Sequence, residues 1–318
     1  MRIRIRTILA ALLIVVLLAG CNLSSLGKPS VVSLAKDAMK NLNKVESAEV
    51  NIKTDGDISA VYETLNIGMN ITLDSDTDME MTKDPRRAKG TVDLTVGAVG
   101  QEQTIKGKFY RDRTDTDAVT YIKWENGDWQ KKTTPVEQKE GEDEKDSKGI
   151  KMPDSLMQAA GILKYLSDGS LTAQLREETV QVNEKEAYQI SSIISGELLK
   201  QLIENGTINL GDIDLKTEEI DWANVSVPAE LYIYKDSKLP ARVTLDCTSI
   251  GSQIVGTMLK DDLEELPFGK IRVDVNRFLV DITIDRYNEI GAIEIPAETA
   301  GAVESENLTP SLTDFFQF

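Results

Sequence analysis

The 318-residue chain contains no histidine. That one absence excludes serine–histidine–aspartate and cysteine–histidine nucleophilic catalysis, HExxH zinc hydrolysis and histidine-ligated haem or copper. Cysteine is almost as scarce, with Cys21 and Cys247 the only two. The sequence also lacks GxSxG, P-loop and GxGxxG motifs, so neither a nucleophile elbow nor a phosphate-cradling glycine loop is expected. Basic side chains are in deficit, 36 against 53 acidic ones, for a net charge of −17. Affinity for phosphate backbones rests on Lys and Arg, so a nucleic-acid partner is not expected. Long apolar runs are missing except for thirteen residues at Ile8–Gly20, short of the roughly 17–25 needed to span a bilayer. What remains is ordinary for a globular chain: 41% apolar and 28% charged residues, with length enough for one large or two ordinary domains. The chemistry therefore reads as non-catalytic, with no cofactor or metal implied.

Arg2, Arg4 and Arg6 followed by the apolar run form the charged start and hydrophobic middle of a signal peptide over residues 1–20. The run closes on Leu18-Ala19-Gly20-Cys21, which resembles the lipobox of bacterial lipoproteins. The resemblance implies cleavage before Cys21, diacylation of its sulfur, and placement on the extracytoplasmic face of the cell membrane. Two acyl chains anchor stably where one is marginal. Residues 21–29 then read as a tether. Cleavage removes three arginines and no acid, taking the net charge to −20. It leaves Cys247 as the one unmodified thiol, in phase with Val243 and Leu245 and so expected to be buried and structural.

Val31, Leu34, Ala35, Ala38, Met39, Leu42 and Val45 recur at helical spacing, predicting an amphipathic helix over 30–45. From Ser47 to Lys132 the period becomes two. The clearest strand is 65–73, with further strands expected at 47–54, 78–82, 90–96, 103–110 and 118–124. Turns are expected at Asp55-Gly56-Asp57, Asp84-Pro85, Gly97–Gly100 and Asp112–Asp117. Asp74-Ser-Asp-Thr-Asp78 opens like an EF-hand calcium loop, but Met79 stands where glycine is required and Pro85 where the bidentate Glu belongs. It is read as an acidic strand-to-strand turn. In Trp124-Glu-Asn-Gly-Asp-Trp129, Asn126-Gly127 suits a two-residue hairpin turn that would set the two tryptophans directly opposite each other.

Residues 137–149 carry no apolar side chain and read as a charged loop between two halves. A helix is expected from Asp154, strands at 171–182 and 186–194, and a short helix at 196–204. An irregular excursion at 205–224 precedes a hairpin of 225–234 with 239–248. Residues 250–264 read as helical. From Ile271 the chain alternates again, with Ile271, Val273 and Val275 in one phase and Val280, Ile282 and Ile284 in the other, so a bulge is expected at 276–279. The tail of 301–318 is polar apart from its phenylalanines and reads as frayed. Helices and strand runs in this order predict an α+β fold.

Three stretches join the lipobox and the helix Ser33-Leu-Ala-Lys-Asp-Ala-Met-Lys-Asn-Leu42 in pointing to a family. They are Tyr121–Trp129, Tyr232-Ile-Tyr-Lys-Asp-Ser-Lys-Leu-Pro-Ala-Arg242 and Ile284–Pro296. Together they resemble the LolA/LppX/LprG-type lipoprotein superfamily over about residues 30–300. The resemblance implies a single strongly curved antiparallel sheet, an incomplete barrel, with helices over its concave face and an apolar cavity between them that takes acyl chains. The aliphatic stripe of Leu65, Ile67, Met69, Ile71, Leu73, Met79 and Met81 is the candidate lining. The pattern serves equally a filled core, so two readings stand: a lipid carrier or sensor, and a cell-envelope protein-interaction or regulatory module with a packed interior.

Overall fold

The computed structural model describes residues 29–62, 67–136, 154–204, 217–264 and 271–308. Cys21, Leu65, the charged loop at 137–149 and the phenylalanines at 315, 316 and 318 lie outside the described residues. The described residues form one large curved sheet of thirteen strands that does not close. Helix α1 (Val31–Leu42) opens with Ser30, whose hydroxyl accepts from the Ser33 amide, and buries Leu34, Ala35, Ala38 and Leu42. There follow β1 (Ser47–Tyr62), β2 (Ile67–Lys83), β3 (Arg86–Ala98), β4 (Gln101–Arg113), β5 (Asp117–Trp124) and β6 (Gln130–Pro135). The second half holds α2 (Asp154–Ser167), β7 (Ala173–Leu175), β8 (Val180–Val182), β9 (Lys185–Ser195), α3 (Gly196–Glu204), β10 (Ser226–Tyr234), β11 (Pro240–Asp246), α4 (Thr248–Glu264), β12 (Ile271–Asp285) and β13 (Val303–Glu304).

The spatial order is β13-β6-β5-β4-β3-β2-β1-β12-β11-β10-β9-β7, with β8 also on β9. Every pairing is antiparallel except the two-residue contact of β13 with β6. The two halves of the chain therefore meet at β1 and β12. Helices α1, α2 and α3 share one buried cluster with the sheet residues Ala48, Val50, Met81, Ile190, Ile233 and Ile284, which defines the inner face. This is the expected α+β architecture.

Two expected turns are absent. Asp55-Gly56-Asp57 lies within β1 and Asp74–Asp78 within β2, and the two strands pair without a break from Ser47 opposite Thr82 to Tyr62 opposite Ile67. Asp and Gly mark turns only where nothing pairs with them. Here Asp74, Asp76 and Asp78 all fall on the outer face, where the Asn51 amide donates to both Asp76 and Asp78 at 2.7 Å and Lys53 pairs with Asp76 at 3.0 Å. Gly56 is buried opposite Phe278, and a Cβ there would meet the Phe278 ring at 3.5 Å. The expected bulge in β12 is present: Asp57 faces Arg277 while Ile58 faces Val275, leaving Asn276 as the extra residue. That one-residue slip puts Val273 and Val275 on the same inner face as Val280, Ile282 and Ile284.

The tryptophan hairpin also differs from expectation. Ile122 stands opposite Gln130, so Trp124 and Trp129 are not partners. Trp124 instead covers Gly107 of β4, where a Cβ would come within 2.8 Å of the indole. Trp129 packs against Tyr110, with ring centroids 5.8 Å apart.

The tail is tied down as far as Leu308 rather than frayed. From the end of β12, residues 286–304 cross the outer face as a strap. Asn288 and Ile290 bond to Ser47, and Arg87 donates to the Ile293 carbonyl at 3.1 Å while holding Asp112 in a two-pronged pair. Glu298 reaches Lys108 at 3.2 Å, and Val303 then joins β6. The Trp124 indole finally donates to the Leu308 carbonyl at 3.0 Å.

Candidate functional site

Period two in paired strands sorts side chains by face. On the inner face, Ile67, Met69, Ile71, Leu73, Met79 and Met81 of β2 stand opposite Tyr62, Ala60, Ile58, Gly56, Val50 and Ala48 of β1. Opposite Ile71 and Leu73 on the other side are Ala98 and Val96 of β3. No charged side chain stands on the inner face between Ala48 and Tyr62, Ile67 and Met81, or Ala88 and Ala98. All six described residues of the predicted stripe therefore lie on one face, as an unbroken strand requires.

The structure nevertheless divides them into two groups. Ser75 and Thr77 interrupt the stripe, and the Ser75 hydroxyl pairs with that of Thr54 at 2.7 Å. Below this polar band Met81 is fully buried beneath α1, and Met79 packs against the same cluster. Above it the face opens: Ile71 and Leu73 are half-buried, Met69 is 41% exposed and Ile67 61% exposed. On its far flank α4 lies against β12, with the Ser252 hydroxyl donating to Val275 and the Thr248 hydroxyl accepting from the Phe278 amide at 2.9 Å.

Cys247 sits at the start of this helix, half-buried against the core. Burial, with the Asp246 charge adding to it, pushes its thiol up to about 11. It is a packing residue there. Among the described residues no group of three or more acidic or cysteine side chains is placed to hold a metal ion, and no helix is long and apolar enough to cross a membrane. The open apolar floor above Ser75 is thus the candidate site. Residue periodicity found its members, but only the placement of the helices shows which half is uncovered.

No protein-family model and no curated protein matches the chain. Among solved structures it is similar to LprF from Mycobacterium bovis, at 13% identity and a TM-score of 0.40, over 85% of this chain and all of that one. It is also similar to a β-barrel-like protein of the domain of unknown function DUF1849 from Brucella abortus, at 9% identity and a TM-score of 0.26, over 77% of this chain and all of that one.

Proposed function

We propose that this protein is a lipid-anchored surface protein of the bacterial cell envelope that holds a lipid or other apolar ligand, without chemistry, against the open half of its inner face. The observation that carries the reading is the exposure of Ile67 and Met69 on the same strand and face that, further along, forms the buried core. Apolar surface left in water costs about 25 cal/mol per Å², and contiguous exposed apolar patches mark binding sites. From Ile67 to Leu73 the floor runs about 20 Å at the strand rise, which suits an extended acyl chain. The thioether of Met69 adapts to ligands of differing shape. Attachment is assigned to Cys21 through two acyl chains, which would leave the membrane as the first partner and the apolar ligand as the second, in a carrier or sensing role.

Native mass spectrometry of the chain expressed without residues 1–20, joined to titration with a fluorescent fatty acid, tests the ligand. Co-purifying lipid mass and saturable uptake are expected. A clean apo mass with no uptake would overturn the reading and leave the packed interaction module in its place.

A further inference from the structure

We propose that the chain's own residues 309–318 occupy the apolar floor, lying where an acyl ligand would lie and giving way when one binds. The inference rests on the ligand reading above and names what regulates that site. It starts from the route of the chain. The strap crosses the outer face past Arg87 and Lys108, and Val303 and Glu304 then join the edge strand β6. Four residues on, the Leu308 carbonyl accepts from the Trp124 indole at 3.0 Å. Trp124 belongs to the inner face. Its ring and the Val92 side chain both come within 3.0 Å of where a Cβ on Gly107 would stand, and Val92 is opposite Thr77 of β2. By Leu308 the chain has therefore rounded the edge of the sheet and reached the inner face.

What it meets there is apolar. From Trp124 the inner face runs through Val92, Ile105 and Leu94 to Val96, which stands opposite Leu73. Val96 is 3% exposed, although it lies outside the cluster buried beneath α1–α3, and α4 packs against β12. A sheet hides a side chain that well only under a second layer. The segment that follows Leu308 has the composition to supply it. Three of the chain's six phenylalanines fall at 315, 316 and 318, Leu312 precedes them, and Asp314 is the single charge from Thr309 to Phe318.

Length agrees with composition. Seven to ten residues separate Leu308 from the three rings, a reach of at most about 23–36 Å. Counted through β4 and β3, the residue of β2 in line with Trp124 is Thr77. Leu73 and Met69 lie three strands across and four and eight residues along, about 20 and 30 Å away at ordinary sheet spacings. Ile67 falls at the limit of reach. Exposure along β2 rises in that order, from a half-buried Leu73 through Met69 at 41% to Ile67 at 61%. Tethered at Leu308, the rings meet the floor at the high effective concentration of an intramolecular partner. A floor filled by them nine-tenths of the time lowers the apparent affinity for any ligand about tenfold.

The test uses the full chain with Cys21→Ala and Cys247→Ala, carrying Phe316→Cys together with either Ile71→Cys on the floor or Asn70→Cys on the outer face. Under mild oxidation, read by intact mass and non-reducing gels, the floor pair should form a disulfide within one chain at least tenfold faster than the outer pair. Separately, Phe315→Ser, Phe316→Ser and Phe318→Ser combined in the otherwise unaltered chain should raise the affinity for a fluorescent fatty acid about tenfold. Equal crosslinking of the two pairs overturns the proposal, and so does a fatty-acid affinity indifferent to the three serines. A floor pair that links two chains instead of one assigns the floor to a second copy and also overturns it. Crosslinking needs no lipid. A protein that takes up no fatty acid yet links the floor pair within one chain keeps its segment in place and loses only the ligand reading.

Discussion

Met69 and Met81 occupy the same face of the same strand, yet Met81 is 1% exposed and Met69 41% exposed. Between them lie Ser75 and Thr77, so β2 passes from a packed interior, across a polar band, onto an uncovered apolar floor. The pair gives a direct way to separate what the core does for stability from what the floor does for function.

Met81→Asp places an unpaired carboxylate in a dry cluster and should cost several kcal/mol or abolish folding. Met69→Asp can hydrate its charge and should lower stability by less than about 1 kcal/mol. It should nonetheless reduce fluorescent fatty-acid uptake at least tenfold, since the charge then sits on the ligand's path. Thermal melts and lipid titrations on both variants decide this. Equal destabilisation by the two would mean that the floor is as tightly packed as the core.

The outer face offers an electrostatic test. Asp74 stands directly across from Asp55, which Arg277 already engages at 2.6 Å. Burial first, then the negative charges of Asp55 and Glu102, raise the Asp74 carboxyl above its ordinary value. A raised carboxyl favours the folded state while protonated, and that advantage is lost as pH rises through the folded value. Asp74→Asn should therefore stabilise the protein at pH 7 by about 0.2–1 kcal/mol, the scale of a cross-strand pair. At pH 3, where the acid is already neutral, the gain should vanish. Melting curves at the two pH values give the answer, and an equal gain at both would refute the account.

These two cases also show what the sequence made legible. The helical repeat from Val31 to Leu42 and the apolar spacing of 196–204 depend only on local period, and both helices form there. The bulge at Asn276 was visible because a one-residue slip leaves its trace in the alternation itself. Strand β1 was read at half its length and β2 as two strands, 65–73 and 78–82, because Asp and Gly were taken as turn formers. What overrides them is cross-strand: Asn51 and Lys53 satisfy the acids from the neighbouring strand, and Phe278 fills the space over Gly56. The Trp124–Trp129 register failed for a similar reason, since Trp129 finds Tyr110 and Trp124 finds Gly107. The candidate floor was legible as a stripe, but Ile67–Leu73 and Met79–Met81 carry the same periodic signal. Which of them a helix covers is decided by chain segments far away in sequence.

The anchor is tested at Cys21. Cys21→Ala removes the sulfur that the Leu-Ala-Gly-Cys motif would acylate. The protein should then pass from the membrane fraction to the medium, or stay unprocessed with residues 1–20 attached. Phase partitioning in detergent and intact mass read both outcomes. Processed Cys21→Ala protein that still enters the detergent phase would contradict lipid anchoring, because the apolar floor alone buries too little to mimic two acyl chains.

Cys247 supplies the last expectation, and Cys21→Ala makes it measurable by leaving a single thiol. An unfolded thiol ionises near its ordinary value of 9, whereas burial holds the folded one up to about 11. The folded state therefore keeps a proton that the unfolded state releases, and stability is lost as pH rises from about 9 towards 11. Two tyrosines move the same way: burial pushes Tyr232 and Tyr234 up to about 12. Replacing Cys247 by Ala in the Cys21→Ala background should flatten the loss between pH 8.5 and 10.5 by about 1–2 kcal/mol, allowing for partial exposure. Urea midpoints at those pH values measure it. At pH 8 the same proton retention leaves roughly a thousandth of the thiol as thiolate. Iodoacetamide should accordingly label native Cys247 far more slowly than the urea-unfolded chain. Equal labelling rates would place the thiol in water and remove the basis for the alkaline instability.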